Sequence, residues 1–291
     1  KTETMLALLA RERPKCLFVV VPTSALRDQI AKKFLTFGVL RKFGVISNEA
    51  ELPVVGKVEH QFNNPDDAIQ FLQCCNVAIA TMAVVGGCSE EVQKAIATEC
   101  SHVFIDEAQR IEGIGLTMKI ITDRFKNVQL FASGSSSFDL SNKINESLTG
   151  RKWEYHLFPI SWEEYENHHG YLFSEQNLEN RLLYGFYPDV LNNAGDEVSI
   201  LRNLVNSYLY KDILSYAGIR KPEVLDKLVQ ALALQIGNEV NYSELAQIVN
   251  VDKNTVSKYI DILEKGYIIF KLSSFSRNVR DEIKTNKKIY F

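Results

Sequence analysis

Long hydrophobic runs and metal-binding cysteine patterns are both missing from this sequence. No stretch approaches the roughly 18 consecutive apolar residues that a membrane-spanning helix needs, and no basic segment followed by an apolar one opens the chain. The five cysteines all lie within residues 1–100, and their spacing fits no metal site. We therefore expect buried thiols, no membrane partner, no signal peptide and a reducing, cytoplasmic setting.

The sequence also lacks an excess of either charge. Its 291 residues carry a net charge of −3, with 46% apolar and 24% charged residues. This composition is typical of a folded globular protein with one large domain or two ordinary ones. It excludes a disordered chain and a generally basic nucleic-acid binder, so any surface for nucleic acid must be a local patch.

The first half of the chain alternates short β-rich runs with amphipathic helical runs. The predicted strands are Cys16–Pro22, Phe43–Ser47, Asn76–Met82, His102–Asp106 and Val128–Ala132. Predicted helices between them begin after residues such as Ser24 and Asn64, which suit helix N-caps. This alternation predicts an α/β fold with a parallel, doubly wound sheet, which binds ligands at the carboxyl ends of its strands.

From about Arg151 the pattern becomes mainly helical. The aromatic run from Trp153 to Trp162 predicts a linking strand and turn, and helices are predicted over 175–184, 198–216 and 222–235. A short helix capped by Ser243, the helix Asn254–Lys265 and a strand from Tyr267 then follow in the order of a winged helix. We expect an α/β domain over 1–150, a linking segment over 151–195 and a helical domain over 196–291, with the winged helix at about 241–291.

The start of the chain matches the end of a phosphate-binding loop. Lys1 and Thr2 directly precede the helical run "ETMLALLARER", as the Lys and Thr of a P-loop precede a helix whose N-terminus binds phosphate. In that arrangement Lys1 would contact the β- and γ-phosphates of ATP, and Thr2 would coordinate Mg²⁺. The Gly-rich loop and the strand before it are absent, so we expect a P-loop sheet that is truncated at its N-terminus.

An acidic pair, Asp106 and Glu107, lies at the end of the predicted strand His102–Asp106. In a nucleotide hydrolase Asp106 would hold Mg²⁺, directly or through water, and Glu107 would orient and polarise the attacking water. The alternative for this pair is a solvated acidic turn that ends a strand.

Residues before the acidic pair resemble the first motor domain of superfamily 2 helicases of the restriction-enzyme type. The matching segments, in that family's order, are "KTETMLALLARE", "VVVPTSALRDQIAKKF", "VAIATMAVV" and "VFIDEA". Pro22, Thr23 and Arg27 match the motif that contacts the nucleic-acid backbone in those helicases, and a surface charge on a helix is the alternative for Arg27. This resemblance covers residues 1–108 and implies a nucleic-acid-dependent motor.

Residues after the pair resemble a different group, the prokaryotic AAA-type ATPases that carry a C-terminal domain of unknown function with a winged helix. The matching segments include "IDEAQRIEGIGLTMKIITDRF", "ENRLLYGFYPDVL" and "NYSELAQIVNVDKNTVSKYIDILEKGYII". Gln109 also fits this group, because the helicases usually have Asp or His there. The two resemblances predict a chimera joined at "FIDEA", with 1–104 helicase-like and 105–150 AAA-like, that arose by gene fusion, recombination or an assembly error.

A helicase requires a second motor domain, and no segment after Ala132 resembles one. We therefore expect an ATP-binding P-loop ATPase that uses Mg²⁺, and that hydrolyses ATP when its phosphate-binding loop is intact. The alternatives are a fragment of a helicase motor and a non-enzymatic module that binds DNA or protein.

Three further residues belong to the predicted ATP site. Ser133, with Ser135 as its neighbour, ends the strand beside the acidic pair and would sense the γ-phosphate, with a Gly-Ser turn as the alternative. Arg151 would reach a phosphate in its own or an adjacent subunit of a homo-oligomer, and an ordinary surface ion pair is the alternative.

The predicted winged helix carries candidate DNA-contacting residues on its second helix. These are Lys253, Asn254, Thr255, Ser257 and Lys258. Residues 271–291 add six basic residues against Asp281 and Glu282, namely Lys271, Arg277, Arg280, Lys284, Lys287 and Lys288. Such a patch suits the phosphates of duplex DNA, although many winged helices bind protein instead.

Overall fold

The structure, a computed structural model, describes residues 2–134, 148, 150–206, 219, 221–275 and 286–291. It divides the chain into two compact units, Lys1–Lys152 and Trp153–Phe291. No described helix is long and apolar enough to cross a membrane. The predicted fold class is confirmed, since an α/β unit with a parallel sheet precedes a mainly helical unit with a winged helix.

The first unit is built on a parallel sheet of five strands. They are β1 (Leu17–Val21), β2 (Val55–Val58), β3 (Val77–Thr81), β4 (His102–Ile105) and β5 (Gln129–Ala132). Their order across the sheet is β2-β3-β1-β4-β5. After β1 the chain turns towards β2 on one side, and after β3 it crosses to β4 on the other. The carboxyl ends of β1 and β4 therefore form the crevice where doubly wound sheets bind ligands.

Helices cover both faces of this sheet. They are α1 (Thr2–Glu12), α2 (Ser24–Thr36), α3 (Gly38–Lys42), α4 (Pro65–Gln73), α5 (Met82–Gly86), α6 (Glu90–Glu99) and α7 (Ile114–Arg124), with a 3₁₀ turn at Ala108–Arg110. Polar side chains accept bonds from the first-turn amides of four of them, at Thr23, Asn64, Thr81 and Ser89. These capping bonds fix the residue at which each helix begins.

The two sides of the sheet bury separate hydrophobic clusters because neighbouring residues of a strand point to opposite faces. On one face Phe18 and Val20 of β1 pack with residues of α4, α6 and α7. On the other face Val19 and Val21 pack with Met5 of α1 and with α2. Every residue of β1 and β3 is buried, as the continuous apolar runs in the sequence predict.

Three buried thiols meet at the amino ends of the central strands. Cys16, Cys75 and Cys100 lie just before β1, β3 and β4, and the sulfur atoms of Cys16 and Cys100 are 3.5 Å apart. The hydrogen bond with Cys100, together with burial, raises the pKa of Cys16 to about 12. The bond with Cys16 and burial likewise raise the pKa of Cys75. The prediction of buried thiols is confirmed for all except the exposed Cys74.

The second unit begins with an extended segment and five helices. The helices are α8 (Trp162–His169), α9 (Tyr171–Gln176), α10 (Leu178–Tyr184), α11 (Pro188–Asn192) and α12 (Glu197–Leu204). Ser161 and Glu164 form a capping box at the start of α8, which is the local reason that the helix begins there. The segment before it is not the predicted strand. It packs on the winged helix instead, through His156 on Tyr267 and Phe158 on Phe270.

The rest of the second unit has the arrangement of a winged helix. Its elements are α13 (Pro222–Ala233), β6 (Glu239–Val240), α14 (Tyr242–Val249), α15 (Lys253–Lys265), β7 (Phe270–Leu272) and β8 (Lys287–Tyr290), and the strands pair in the order β6-β8-β7. Val256, Ile260 and Leu263 form the buried stripe of α15. They pack with α13 and α14 in one hydrophobic cluster.

Three local predictions are corrected by the structure. Phe43–Ser47 is not a strand, because the amides of Val45 and Ile46 bond back to the carbonyl of Leu40 and fold this segment against α3. The second strand is β2, further along the chain. Thr23 rather than Ser24 caps α2, and Asn241 rather than Ser243 caps α14.

Candidate functional site

Two polar side chains meet at the carboxyl ends of β4 and β5. Asp106 directly follows β4 and Ser133 directly follows β5. The hydroxyl of Ser133 donates a hydrogen bond of 2.6 Å to Oδ1 of Asp106. Asp106 is only 5% exposed, so this carboxylate is held inside the crevice rather than solvated on a turn. The sequence-based pairing of the two strand ends is therefore present in the fold.

Glu107 occupies an unusual backbone position beside Asp106. Its φ of 51° and ψ of 45° lie in the left-handed region, which disfavours residues with a side chain by about 1–2 kcal/mol. Oε2 of its carboxylate accepts a bond of 2.6 Å from Nε2 of Gln109. Nε of Arg110 lies 3.9 Å from the same oxygen. The acidic pair thus turns sharply out of the strand, and Glu107 faces the 3₁₀ turn that follows.

Backbone bonds fasten this turn to the sheet on both sides. The amide of Asp106 donates to the carbonyl of Val20 in β1, at 2.9 Å. The amide of Ala108 donates to the carbonyl of Ser133, also at 2.9 Å. Because Ala108 and Gln109 are almost fully buried, the acidic turn has little freedom to move.

The described oxygen atoms suit a hard cation with a phosphate ligand. A carboxylate and a hydroxyl, from Asp106 and Ser133, lie within hydrogen-bond distance of each other, and the carboxylate of Glu107 is next along the chain. Mg²⁺ prefers such oxygen donors and takes only one or two from protein when phosphates and water supply the rest. Within the described part of the chain, no group of three His, Cys, Asp or Glu residues could hold a metal by itself. The donor set therefore fits a shared protein–nucleotide site for Mg²⁺ rather than a closed metal cage.

The other predicted phosphate-binding residues lie at the start of the chain. Thr2 is the first residue of α1, and Lys1 lies outside the described residues. Glu3, next to Thr2, accepts a bond of 2.8 Å from Nζ of Lys33 in α2. Burial alone would raise the pKa of Glu3, but the bond and the charge of Lys33 hold it below its ordinary value. The joint role of Thr2 and Asp106 in binding Mg²⁺ stays a prediction.

Arg151 pairs with an acidic residue of its own unit. Its Nε lies 2.9 Å from Oδ1 of Asp123 in α7, and both side chains are partly exposed. This is the ion pair that the sequence left open as the alternative to a phosphate contact. The predicted phosphate contact stays untested, and Ser135 lies outside the described residues.

Arg27 is buried against the end of β2. Its side chain is 9% exposed, and Nη1 donates to the carbonyl of Val58 while Nη2 lies 3.2 Å from Oε1 of Glu59. Asp28 and Lys57 complete this neutral cluster of charges. The guanidinium group of Arg27 therefore helps to join α2 to β2. These contacts explain its burial without a nucleic-acid partner.

The predicted DNA-contacting residues fall into two groups on α15. Lys253, Asn254 and Lys258 are exposed in its first half. Thr255 and Ser257 are half-buried, and the hydroxyl of Thr255 donates to the carboxylate of Asp252, which caps the helix. This position gives Thr255 a structural role at the start of the helix.

Lys271 is not the exposed wing cation that the sequence suggests. Its side chain is 10% exposed, and Nζ contacts the carboxylates of Asp261 and Glu264 on α15. Burial alone would lower the pKa of Lys271, but the bonds with these two acids raise it above its ordinary value. Lys287 and Lys288 lie in β8, and Arg277, Arg280 and Lys284 lie outside the described residues.

Two family models match this chain. Residues 58–166 match an AAA domain. Residues 175–291 match a domain of unknown function, DUF8612. The first match includes β3, β4, the acidic turn and β5, so the first unit is similar to the P-loop ATPases, a class that binds nucleotides.

Curated relatives match this chain in sequence over part of their length. An uncharacterized protein of Haemophilus influenzae is 27% identical over 202 residues, which are 65% of this chain and 50% of that protein. The uncharacterized protein MJ1544 of Methanocaldococcus jannaschii is 22% identical over 198 residues, 60% of this chain and 43% of that protein. The chain thus spans about half the length of the curated relatives it matches.

Sequence reasoning found the acidic pair and Ser133 but not the residues that hold Glu107. Gln109 stood out in the sequence only because it fits the AAA-type ATPases better than the helicases. Its position two residues after an acidic residue predicts no contact by itself, since the contact depends on the left-handed conformation of Glu107.

Proposed function

We propose that this protein binds ATP with Mg²⁺ at the carboxyl ends of β4 and β5, and that it hydrolyses ATP there when its phosphate-binding loop is intact. The observation that carries the proposal is the bond of 2.6 Å between the hydroxyl of Ser133 and the buried carboxylate of Asp106, with Glu107 as the next residue. The similarity of residues 58–166 to an AAA domain supports it.

Each residue has a distinct part in the proposed reaction. Asp106, with Thr2 at the start of α1 and with Lys1, would hold the Mg²⁺ and the phosphates. Mg²⁺ neutralises charge on the phosphate oxygens when it is bound. Glu107 would orient the attacking water and accept its proton, while the hydroxyl of Ser133 would contact the terminal phosphate. Arg151 would need to leave Asp123 to reach a phosphate, in its own subunit or in an adjacent one of a homo-oligomer.

The test compares ATP binding with ATP hydrolysis in one set of variants. Glu107→Gln should bind ATP with native affinity and release phosphate about a hundredfold more slowly or worse, because the base is lost. Asp106→Asn should weaken Mg²⁺-dependent ATP binding itself. Glu99→Gln is a matched control, since Glu99 is ion-paired with Lys15 before β1 and lies away from the acidic turn. Native hydrolysis by Glu107→Gln would contradict the proposal.

The helicase alternative is less well supported by the contacts of Arg27. A motor that grips a nucleic-acid backbone needs an accessible cation there, whereas this guanidinium group is bonded to β2. ATP hydrolysis that rises severalfold on addition of single-stranded or duplex nucleic acid would restore the helicase alternative.

The proposed join between two ancestral genes is a separate matter. The helicase-like segments before residue 104 support it, while the AAA-domain match begins at residue 58 and so includes both sides of the join. A single long sequencing read across the codons for residues 95–115 would establish one gene. Reads that split there into two genes would show that the chain is an assembly error.

A second candidate function is binding of duplex DNA by the winged helix. The exposed Lys253, Asn254 and Lys258 on the first half of α15 favour it. Each lysine–phosphate contact that is lost should reduce the slope of log affinity against log salt by about 0.9. Lys253→Ala with Lys258→Ala should therefore lower the slope by about 2 in the whole protein. The control is Lys227→Ala, an exposed lysine of α13. Salt-insensitive binding, or no binding at all, would instead favour a protein partner.

A further inference from the structure

We infer that Gln109 is a positioning residue, which holds the carboxylate of Glu107 in the orientation needed to act on water. The inference rests on the proposed ATP hydrolysis and names a residue to which that proposal assigns no part. It begins from the bond of 2.6 Å between Nε2 of Gln109 and Oε2 of Glu107.

Gln109 is buried in a way that a surface glutamine is not. It is 1% exposed, although moving an amide side chain out of water costs free energy unless the amide keeps good hydrogen bonds. Its neighbour Ala108 is fully buried in the core between the sheet and α7. A buried donor directed at a charged acceptor forms a stronger bond than one between neutral groups. The amide therefore forms a fixed point against which the carboxylate can be oriented.

The backbone explains why residue 109 can reach residue 107. Glu107 is left-handed, and the residues after it form one 3₁₀ turn over Ala108–Arg110. The bond from the amide of Ala108 to the carbonyl of Ser133 fastens this turn to the end of β5. The conformational strain at Glu107 is thus maintained by the sheet, and strained residues of this kind are common where a side chain must be aimed.

These contacts indicate that Gln109 holds Glu107 in its active orientation. The alternative is that Gln109 restrains Glu107 in an inactive orientation and must release it before the reaction. Release requires the holding residue to move away, and the amide of Gln109 is buried in a turn with bonds to two strands. Arg110 is the more mobile partner, since its side chain is 53% exposed and its Nε is 3.9 Å from the carboxylate. A carboxylate bonded to a buried, fixed donor keeps a constant orientation. Misplacement by about 1 Å can slow a reaction about a hundredfold.

The test removes the amide donor while keeping the volume of the side chain. In Gln109→Met we expect kcat for ATP hydrolysis to fall about tenfold or more, with ATP affinity within about twofold of native. In the Glu107→Gln background the same substitution should cause no further loss, because the group that it positions is already absent. Gln93→Met is the matched control. Gln93 also donates through its amide, to the carbonyls of Val85 and Cys88, and lies outside the site.

A second measurement does not depend on activity or on nucleotide. In native protein labelled with ¹⁵N, the side-chain amide of Gln109 should give a proton signal displaced downfield, as expected for a bond to a carboxylate. Glu107→Gln should move that signal back towards the range of ordinary amides, and Glu99→Gln should leave it unchanged. This readout remains informative if Gln109→Met fails to fold.

The outcomes separate the two proposals. If Glu107→Gln hydrolyses ATP at the native rate, the proposed function is wrong and Gln109 has nothing to position. If Glu107→Gln is inactive while Gln109→Met keeps native kcat, only the positioning role is overturned. A faster reaction in Gln109→Met would also overturn it, since that result would show that the amide restrains Glu107 instead of aiming it.

Discussion

The two units of this protein place their polar groups in opposite settings. In the first unit Asp106 and Gln109 are buried, and protein groups bond to them at short distances. In the second unit Lys253 and Lys258 lie exposed on α15. Enclosed and oriented groups suit a reaction, in which positions must be fixed in advance. Exposed cations suit association through long-range charge, which salt weakens. This contrast predicts that solvent and reagents reach the core of the first unit slowly, and that the second unit unfolds independently of the first.

Thiol reactivity should show the largest contrast. Because Cys16 and Cys75 are buried and their pKa values are raised, they hold almost no thiolate at pH 8. The exposed Cys74 should therefore be alkylated at least about a hundredfold faster in the native protein. Mass spectrometry of peptides after brief treatment with iodoacetamide measures this difference. Equal labelling of Cys16 and Cys74 would show that the first unit opens readily.

Removal of a core ring should separate the stabilities of the two units. Phe18→Ala should destabilise the first unit by about 3–5 kcal/mol, because Phe18 is 1% exposed beneath α4 and α6. Hydrogen exchange of β1 and β3 would report this loss. Both tryptophans, Trp153 and Trp162, lie in the second unit, so their fluorescence follows that unit alone. We expect that the unfolding transition of the second unit, followed by tryptophan fluorescence, is the same in Phe18→Ala as in the native protein.

The control for that experiment is Phe275→Ala, since Phe275 is 99% exposed and should contribute nothing measurable to either unit. If Phe18→Ala lowers the free energy of unfolding measured by tryptophan fluorescence as much as the one measured by hydrogen exchange, the two units unfold together. The second unit would then not be independent of the first in stability.

Loss of the buried ammonium group should weaken the second unit by a smaller amount. Lys271→Met should cost about 1–2 kcal/mol, less than a fully buried pair, because Asp261 and Glu264 are themselves half-exposed and can be hydrated. The folded pKa of Lys271 is above its ordinary value of 10.5. Its stabilisation is therefore complete below that pH and is lost as the pH rises through the folded pKa.

Urea denaturation followed by tryptophan fluorescence at pH 8 and at successively higher pH would measure this dependence. The native protein should lose stability in the second unit above about pH 10.5, and Lys271→Met should lose less over the same range. Identical pH dependence in the two proteins would mean that the ion pairs of Lys271 do not contribute.

The smallest expected effect is that of Asn250→Gly at the end of α14. Asn250 ends this helix in the left-handed conformation, with φ of 54°. Asn250→Gly should stabilise the second unit by about 0.5 kcal/mol, and Asn250→Val should destabilise it by about 1–2 kcal/mol, because a branched side chain is strained there. Thermal unfolding followed by tryptophan fluorescence gives both values. A stabilised valine variant would show that the helix end can adopt another conformation.

Local patterns predicted most of the elements, and the failures have physical reasons. The strands β1 and β3 follow directly from continuous apolar runs. The strand β2 was missed because Gly56 lies in its middle, where a side chain would place its Cβ only 2.7 Å from the ring of Phe71. That glycine weakens the strand pattern in the sequence, and only the packing of α4 shows why it is there. The run Phe43–Ser47 has the composition of a strand, but amides within it bond to the nearby carbonyl of Leu40 instead of to a neighbouring strand.

The sequence by itself determined most of the strands and helices, the buried central strands and the acidic turn at the end of β4. These follow from hydrophobic periodicity and from residues that act on their near neighbours. Only the tertiary structure decided which distant groups meet: Ser133 with Asp106, Arg151 with Asp123, and Lys271 with Asp261. The physical reason is that such contacts depend on which strands become neighbours and on where helices pack, and a short window of residues contains neither.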